Sequence, residues 1–293
     1  MRRSLQPIRR LRLFLLSVVI ALPAASADPR PEKPFFDEPF LFGVHRGGAK
    51  WRPESTLKTF QEAANTWPGI LLESDVRMTA DGVVVMLHDA TVDRTTNGKG
   101  AIADLTWEYV QSLDAGYNFT NDGGETFPYR GKGYRIPKLD AVLQALPESR
   151  FLIEFKDQAG IADAAVAVMQ KVKAVDRILV ASFNPDHMDR AESIEPRLAT
   201  CFDSNSRPRM VDVLRNGDWL NYEPEDDVFI LNYARINRYG ITVDDFPRIQ
   251  AKGIPIIVYT LDEPEVIGQA IEEGVDGVLT DRPDVMSTVP EVR

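Results

Sequence analysis

Short apolar runs alternate with amphipathic stretches along most of this chain. The apolar runs are continuous rather than interleaved with polar residues, which is typical of parallel β-strands that are covered on both faces. Nine runs of this kind predict nine strands, over Leu41–His45, Ile70–Val76, Val83–Leu87, Phe151–Lys156, Ile178–Phe183, Leu198–Phe202, Val228–Tyr233, Ile256–Thr260 and Gly277–Thr280.

Helical patterns, in which apolar residues recur every three or four positions, fall between most of these strands. Clear examples are Thr56–Thr66, Leu139–Leu146, Ile161–Val175, Pro185–Ser193, Pro208–Asn216, Val243–Ala251 and Pro264–Glu273. Strand–helix alternation about eight times over ~250 residues predicts an α/β fold of the (β/α)8 (TIM) barrel type. A doubly wound open sheet is the alternative, but no Gly-rich dinucleotide or P-loop turn follows the first strand. No linker or repeat interrupts the pattern, so residues 41–293 are expected to form one domain.

One segment breaks the alternation after the second strand region. Loops as long as residues 98–135 are commonly functional lids or binding loops. The alternative is a solvated excursion that a small aromatic cluster stabilises, and both interpretations stay open. The segment is rich in glycine and interleaves aromatic with basic side chains, namely Tyr117, Phe119, Phe127, Tyr129 and Tyr134 with Arg130, Lys132 and Arg135.

The amino terminus has the pattern of a targeting segment. Five arginines precede a short apolar core at Leu13–Leu22, and Ala25-Ser26-Ala27 supplies a small-residue cleavage site. Residues 1–27 are therefore predicted to be a secretory signal peptide, which implies a periplasmic or secreted protein. An uncleaved membrane anchor is the alternative, although the core is about half the ~20 residues that a membrane-spanning helix needs. A Pro-rich lead over 28–40 follows.

Charge and cysteine content narrow the possible functions. Cleavage after Ala27 would leave 29 Lys and Arg against 44 Asp and Glu, a net charge of −15. Such a surface repels nucleic acid, so nucleic-acid binding is not expected. The single cysteine, Cys201, excludes an internal disulfide and is expected to be a small buried hydrophobic side chain.

Carboxylates stand at the ends of two predicted strands. Glu73 and Asp75 are two residues apart, so both side chains point to the same face of the strand. Glu154 occupies the corresponding place on a later strand. Three carboxylates that converge at the mouth of a barrel describe an oxygen-rich site for Mg²⁺ or Ca²⁺. Zinc is disfavoured because the chain has no Cys pair and no His-x-x-x-His. The alternative is that these carboxylates only form ion pairs, with Arg77, Arg46 and Lys156.

Two of the three histidines also follow predicted strands. His45 and His88 can share the barrel mouth, where they fit one general acid and one general base near neutral pH. A lone histidine after a strand is more often a structural residue, so the interpretation depends on the pair. Arg46 and Lys156 would neutralise phosphate oxygens. His187 falls at a helix start and is expected at the surface.

The motifs around these residues resemble the glycerophosphodiester phosphodiesterase family, and they occur in the family's order from about residue 41 to 285. The set is specific through its co-occurrence: His45-Arg46-Gly47, Pro53-Glu54-Ser55-Thr56-Leu57, Glu73-Ser74-Asp75-Val76, His88-Asp89, Arg94-Thr95-Thr96-Asn97-Gly98, Ile136-Pro137-Lys138-Leu139, Glu154-Phe155-Lys156, Ser182-Phe183, Gly274-Val275-Asp276-Gly277 and Thr280-Asp281-Arg282-Pro283.

The resemblance implies a (β/α)8 barrel that hydrolyses glycerophosphodiesters to an alcohol and glycerol 3-phosphate with a divalent metal. It places the metal ligands at Glu73, Asp75 and Glu154 and the acid–base histidines at His45 and His88. Arg46 and Lys156 fall on phosphate-contacting positions, and segment 98–135 on an insertion that shapes substrate choice.

Two positions depart from the family pattern. Ser55 replaces an Asn and is expected to cap the following helix as Asn does. Tyr259 replaces the usual Trp in the predicted strand Ile256–Thr260, where it is expected to contact substrate.

Two other functions remain open at this point. One is a lysophospholipase D-type hydrolase of lipid-like phosphodiesters, for which segment 117–135 could contact a membrane. The other, from a different class, is an exported glycerophosphodiester-binding protein, although binding needs no acid–base pair. The expected partner is a small-molecule glycerophosphodiester or lysolipid, and no protein partner is inferred.

Overall fold

The computed structural model describes residues 33–36 and 42–289. Its main feature is a curled sheet of parallel strands with helices on the outside. The strands are β1 (Phe42–Val44), β2 (Leu71–Met78), β3 (Val84–Met86), β4 (Phe151–Phe155), β5 (Ile178–Ala181), β6 (Ala199–Thr200), β7 (Phe229–Asn232), β8 (Ile256–Tyr259) and β9 (Gly277–Thr280).

Eight of these strands close a barrel. The hydrogen-bonded order is β6-β5-β4-β2-β1-β9-β8-β7, and a parallel bridge between Cys201 and Val228 joins the two ends. The predicted (β/α)8 barrel is therefore confirmed. The helices are α1 (Leu57–Thr66), α2 (Trp107–Val110), α3 (Leu139–Ala145), α4 (Ile161–Lys171), α5 (Pro185–Ile194), α6 (Ser206–Asn216), α7 (Phe246–Gln250) and α8 (Pro264–Glu272).

The strand β3 is not a barrel strand. It pairs with β2 in the antiparallel direction, with Val76 opposite Met86 and Met78 opposite Val84. β2 therefore extends beyond the rim, and β3 folds back along that extension. The sequence could not show this, because continuous apolar runs look alike in parallel and antiparallel strands.

Apolar side chains form two layers around the barrel wall. Alternate residues of each strand point inward, so Leu71 and Leu152 join the interior cluster while Leu72 and Ile153 join the larger cluster beneath the helices. A third cluster lies between β3 and the inserted segment, which includes α2. The inserted segment thus has a small core of its own.

Residues 33–36 close the end of the barrel opposite the rim that bears the carboxylates. The ring of Phe35 is 1% exposed and belongs to the interior cluster. Lys33 Nζ donates to Asp227 Oδ2 at 2.7 Å, just before β7. The described part of the lead is therefore a plug for the base of the barrel.

The predicted signal peptide (residues 1–27) lies outside the described residues, as does most of the lead at 28–40. Among the described residues, no helix combines the length and apolar character needed to cross a membrane.

Replacing Phe35 with Ala should lower the free energy of unfolding by about 3–5 kcal/mol, because it leaves a cavity inside the barrel. Urea unfolding followed by circular dichroism measures this loss. Phe36→Ala is the matched control. Phe36 is only partly buried, so its replacement should lower the free energy of unfolding by less. An F35A protein that unfolds at the wild-type urea concentration would show that the plug contributes nothing.

Candidate active site

Three acidic side chains meet at the rim of the barrel. Glu73 and Asp75 lie on β2 and are 3% and 1% exposed. Glu154 lies on β4, where its Cα pairs with that of Asp75. The expectation that all three share the inward face is confirmed, because their neighbours Leu72 and Ile153 point to the helices.

Two cations from the same rim approach these carboxylates. Lys156 Nζ is 2.7 Å from Asp75 Oδ1 and also donates to Glu154 Oε1. Arg46 Nε is 3.6 Å from Asp75 Oδ2. Arg46 Nε and Asp75 Oδ2 are both buried, and neither atom has a hydrogen-bond partner in the described part of the chain. The ion-pair alternative is thus correct for Lys156 and Arg46, but Arg77 instead donates to the carbonyl of His88 at 2.9 Å.

The backbone after β1 is shaped to serve Glu73. Arg46 has a φ of 52°, and Gly47 and Gly48 follow with φ values of 78° and 103°. Residues other than glycine rarely adopt this left-handed backbone region, so the backbone of Arg46 is strained while that of the two glycines is not. The turn directs the Arg46 N–H to Glu73 Oε2 at 2.7 Å.

Ser55 also has a left-handed backbone, with a φ of 54°. The expectation that it caps α1 is wrong, because Thr56 is the capping residue and accepts from the N–H of Thr59. Ser55 instead accepts a buried hydrogen bond from Ser74 at 3.0 Å. Asn is enriched among the non-glycine residues at positive φ, so the backbone conformation found here would also suit an Asn at this position.

His45 is held by a carboxylate that sequence reasoning did not single out. Its Nδ1 lies 2.7 Å from Asp281 Oδ1, at the end of β9, and its Nε2 lies 3.9 Å from Glu73 Oε2. An ionised carboxylate only accepts, so Nδ1 carries the proton in this bond. Nε2 is then the nitrogen that can exchange a proton with a bound molecule.

His88 has an analogous arrangement. Its Nδ1 lies 2.7 Å from Asp89 Oδ1, and Arg94 Nε donates to Asp89 Oδ2 at 2.6 Å. Arg94 also donates two hydrogen bonds to Glu54, at 2.7 and 2.8 Å. Glu54 in turn lies 3.4 Å from Arg46 Nη1. A continuous chain of charges therefore links the two histidine loops. His88 reaches the rim because β3 folds back, not because a parallel strand ends there.

Burial and like charges perturb the ionisation of these groups. Burial raises the pKa of Glu73 to about 8, with Asp75 and Glu154 adding to the rise and His45 opposing it. Burial and Asp75 also raise the pKa of Glu154, against Lys156. Packing this many carboxylates together is unfavourable without further positive charge.

The two histidines shift in opposite directions. Burial lowers the pKa of His45, but Glu73 and Asp281 outweigh it, so the pKa rises above its ordinary value. Burial also lowers the pKa of His88, and Asp75 and Asp89 do not fully offset it.

The donor set fits a hard divalent cation. Glu73, Asp75 and Glu154 offer carboxylate oxygens, and Asp75 Oδ2 is a buried acceptor that can take a ligand bond. Among the described residues, no three His, Cys, Asp or Glu side chains already form a metal cluster. The Lys156 ammonium lies between Asp75 and Glu154, so a cation there requires Lys156 to move aside.

All eight site residues predicted from the sequence line one cavity of about 160 Å³. Tyr259 also lines the cavity. Burial raises the pKa of its hydroxyl to about 12, and the neighbouring Tyr239 adds to the rise through its charge and a hydrogen bond. Cys201 is buried in the cavity floor as expected, and burial raises the pKa of its thiol. The eight residues are His45, Arg46, Glu73, Asp75, His88, Glu154, Lys156 and Tyr259.

His187 does not line this cavity. The expectation that it lies at the surface is wrong, because its side chain is only 12% exposed and its Nδ1 is buried. Packing at the start of α5 explains this, since Met188 beside it belongs to the outer apolar cluster.

A wide groove of about 850 Å³ adjoins the cavity at Glu54 and Arg94. One wall is the loop after β1, and the other is the inserted segment at residues 115–123. The insertion forms a wall of this groove, and its aromatic cluster packs Tyr129 edge-on against Phe119 and Tyr134, each at 5.1 Å. Its role as a binding loop stays a prediction.

Comparison with known proteins gives a consistent result. The model of the glycerophosphoryl diester phosphodiesterase family matches residues 45–285. A glycerophosphodiester phosphodiesterase of Caldanaerobacter subterraneus is 28% identical over 253 residues, covering 83% of this chain and 94% of the relative.

Solved structures show the same fold. The glycerophosphodiester phosphodiesterase of Agrobacterium tumefaciens superposes with a TM-score of 0.67 at 27% identity, over 85% of this chain and 99% of that one. An Oleispira antarctica phosphodiesterase, solved with its product sn-glycerol-3-phosphate, gives 0.70 at 19% identity, over 88% and 99%.

Asp89→Asn should lower the pKa of His88 further, because it removes a carboxylate that favours the protonated ring. NMR titration of the imidazole C–H resonances in metal-free protein measures the shift. His187, which contacts neither group, supplies an internal reference in the same spectra. An unchanged or raised His88 pKa in D89N would contradict the assigned hydrogen bond.

Proposed function

Since the chain belongs to the glycerophosphoryl diester phosphodiesterase family, we propose that it hydrolyses glycerophosphodiesters to an alcohol and sn-glycerol 3-phosphate with His45 and His88 as its acid–base pair. It is accordingly a phosphoric diester hydrolase. The observation that carries the acid–base assignment is that each histidine is fixed through Nδ1 by its own carboxylate, Asp281 or Asp89, while both rings line one cavity.

The residues divide the work of the reaction. Arg46 and Lys156 neutralise oxygens of the phosphate, Arg46 as a planar fork and Lys156 as a point charge. One histidine takes a proton from the nucleophile, which is either the glycerol 2-hydroxyl or water. The other histidine protonates the leaving alcohol. Asp281 and Asp89 keep the rings in the tautomer that leaves Nε2 for these transfers.

The family is generally dependent on a divalent metal. We propose Glu73, Asp75 and Glu154 as the ligands of Mg²⁺ or Ca²⁺ here. When bound, the cation supplies Lewis-acid polarisation of the phosphate. The protein's part is to hold three carboxylates at one rim, two of them buried, and to let the Lys156 ammonium turn from them towards the substrate.

The groove next to the cavity supports a polar leaving alcohol. Its cationic side chains are paired with carboxylates: Lys50 with Asp262 and Arg282 with Asp284. A lysolipid, the second candidate substrate, would place an acyl chain here, and such a chain gains little from paired charges. Phe119 is the groove's main apolar contribution from the insertion. A binding protein without catalysis is disfavoured by the two positioned histidines.

We also propose that the protein is exported. The basic segment, the short apolar core and the small-residue cleavage site in residues 1–27 support a periplasmic or secreted location.

Replacing either His45 or His88 with Ala should lower kcat by about 10²–10⁴-fold, since each removes one proton transfer. The rate is measured by a coupled assay for released glycerol 3-phosphate, with glycerophosphocholine as substrate. His187→Ala is the matched control, because it deletes an imidazole outside the cavity and should keep the wild-type rate. An H45A/H88A protein with wild-type turnover would overturn the assignment.

Glu73→Gln should weaken binding of Mg²⁺ or Ca²⁺ by at least the roughly 10–100-fold that loss of an outer-shell partner causes. Isothermal titration of the apoprotein with each cation measures the affinity independently of turnover. Glu148→Gln is the control, since Glu148 is exposed and carries the same charge. Unchanged cation affinity in E73Q, or wild-type activity that EDTA does not reduce, would contradict the metal assignment.

A further inference from the structure

A groove of about 580 Å³ runs between α6 and the end of the 3₁₀-helical segment Tyr233–Tyr239. These elements follow β6 and β7, which lie across the barrel from β1 and β2. The groove is therefore separate from the wider one beside the inserted segment. Its volume falls within the roughly 300–1,000 Å³ of sites that hold small molecules. Among the described residues, the charged lining of this arginine groove is Arg207, Arg215, Arg238 and Asp212.

The three arginines differ in their pairing. Arg215 is occupied within the protein, since it donates to Asp245 Oδ1 at 2.7 Å and to the carbonyl of Gly240 at 2.9 and 3.0 Å. Arg207 and Arg238, by contrast, form no ion pair among the described residues. The carboxylate of the groove, Asp212, accepts from Asn216 at 3.1 Å instead. Positive charge is therefore left without a partner here, on a chain whose formal net charge is −10.

Arg207 is held in place although its donors are not all satisfied. Its Nη2 donates to the carbonyl of Phe202 at 3.0 Å, and its guanidinium carbon lies 5.1 Å from the centroid of the Tyr239 ring. Its Nε is buried and has no hydrogen-bond partner in the described part of the chain. A buried donor without an acceptor is unfavourable, so a ligand that supplies one gains from this contact. The fixed position of Arg207 also lowers the entropy that binding costs.

The chemistry of the two arginines suits a phosphoryl group. A guanidinium presents its N–H groups as a planar fork that matches two oxygens of a phosphate. A phosphate monoester carries a charge of about −1.5 to −2 near pH 7, so it gains from two cations, whereas a carboxylate carries a single charge. Arg207 provides a fixed cation, and the exposed Arg238 provides a second one on the facing wall.

The arginine groove adjoins the catalytic cavity through one residue. Arg207 lines both spaces, so a ligand in the groove is separated from the site of hydrolysis by a single side chain. A phosphoryl group can reach the groove in two ways. It is either part of a free phosphate ester or a second phosphoryl group on a molecule that also occupies the cavity.

We propose that the arginine groove is an accessory binding site for the phosphoryl group of a small phosphate ester, held by Arg207 and Arg238. The site is distinct from the phosphate position assigned to Arg46 and Lys156, and it goes beyond the hydrolysis of a single diester.

Arg238→Gln tests the site with inorganic phosphate as the probe. Metal-free protein is titrated at constant ionic strength and followed by NMR. The amide resonances of Ser204 and Asn216 report on the groove, and the imidazole C–H resonances of His88 report on the cavity. In R238Q the Kd from the groove resonances should rise about 10–100-fold, the effect of losing a hydrogen bond from a charged donor. The Kd from the His88 resonances should change less than threefold.

Two further variants separate a local role from a general effect of charge. Arg235→Gln is the matched control, because Arg235 is exposed on the same segment and has no ion pair among the described residues, but it does not line the groove. It should leave both Kd values unchanged. Arg207→Gln tests the other cation and should also weaken phosphate binding in the groove. Urea unfolding identifies any variant that has lost its fold, in which case the remaining variant decides.

Inhibition of glycerophosphocholine hydrolysis, with the metal present, identifies the source of the phosphoryl group. Inhibition constants are compared for sn-glycerol 3-phosphate and glycerol 1,3-bisphosphate. A second phosphoryl group on a molecule in the cavity predicts that the bisphosphate inhibits at least about tenfold more strongly, and that R238Q removes the difference. A free ester predicts equal inhibition by both compounds, together with the phosphate-dependent shifts of the groove resonances.

Groove resonances that do not respond to inorganic phosphate in the wild-type protein would overturn the proposal. The same holds for equal Kd values in the wild type, R207Q and R238Q. Sodium acetate that shifts these resonances as strongly as phosphate would show a general charge effect and would also overturn it. A chain that binds phosphate in the groove but hydrolyses no glycerophosphodiester would overturn the proposed function alone, so the two failures are distinguishable.

Discussion

The clustering of three carboxylates at one rim of the barrel, two of them buried, is the constraint on which the rest of the site depends. Glu73 and Asp75 are almost fully buried, and Glu154 is beside Asp75 in the register of β2 and β4. Like charges this close are unfavourable in a low-dielectric interior. The surroundings compensate in part: the strained backbone at Arg46 gives an N–H to Glu73, and Lys156 bridges the other two. Asp75 Oδ2, which accepts no hydrogen bond from the described residues, shows that compensation within this part of the protein is incomplete.

This incomplete compensation links stability to function. A site that satisfied every carboxylate internally would have less tendency to bind a cation. The charged network that extends through Glu54 and Arg94 to Asp89 then fixes His88 relative to Arg46. One connected set of side chains therefore determines both the positions and the ionisation of the charged groups at the rim.

Much of this could be predicted from the sequence, because the strands and the catalytic side chains leave local signals. The i, i+2 spacing of Glu73 and Asp75 placed both on one face, and eight strand–helix units predicted the barrel. The direction of β3 could not be predicted, since period and composition are the same for both pairing directions. The carboxylate partners of the two histidines also differ in how visible they are in the sequence. Asp89 is adjacent to His88, but Asp281 is 236 residues from His45.

The most direct test of the account is the position of Lys156 and of a bound cation in a crystal of the wild-type enzyme soaked with Mn²⁺, read from anomalous diffraction. The account predicts a manganese peak among Glu73, Asp75 and Glu154, with the Lys156 ammonium displaced from between Asp75 and Glu154. A catalytically active enzyme with no manganese peak at these carboxylates, and with Lys156 still bridging them, would contradict it.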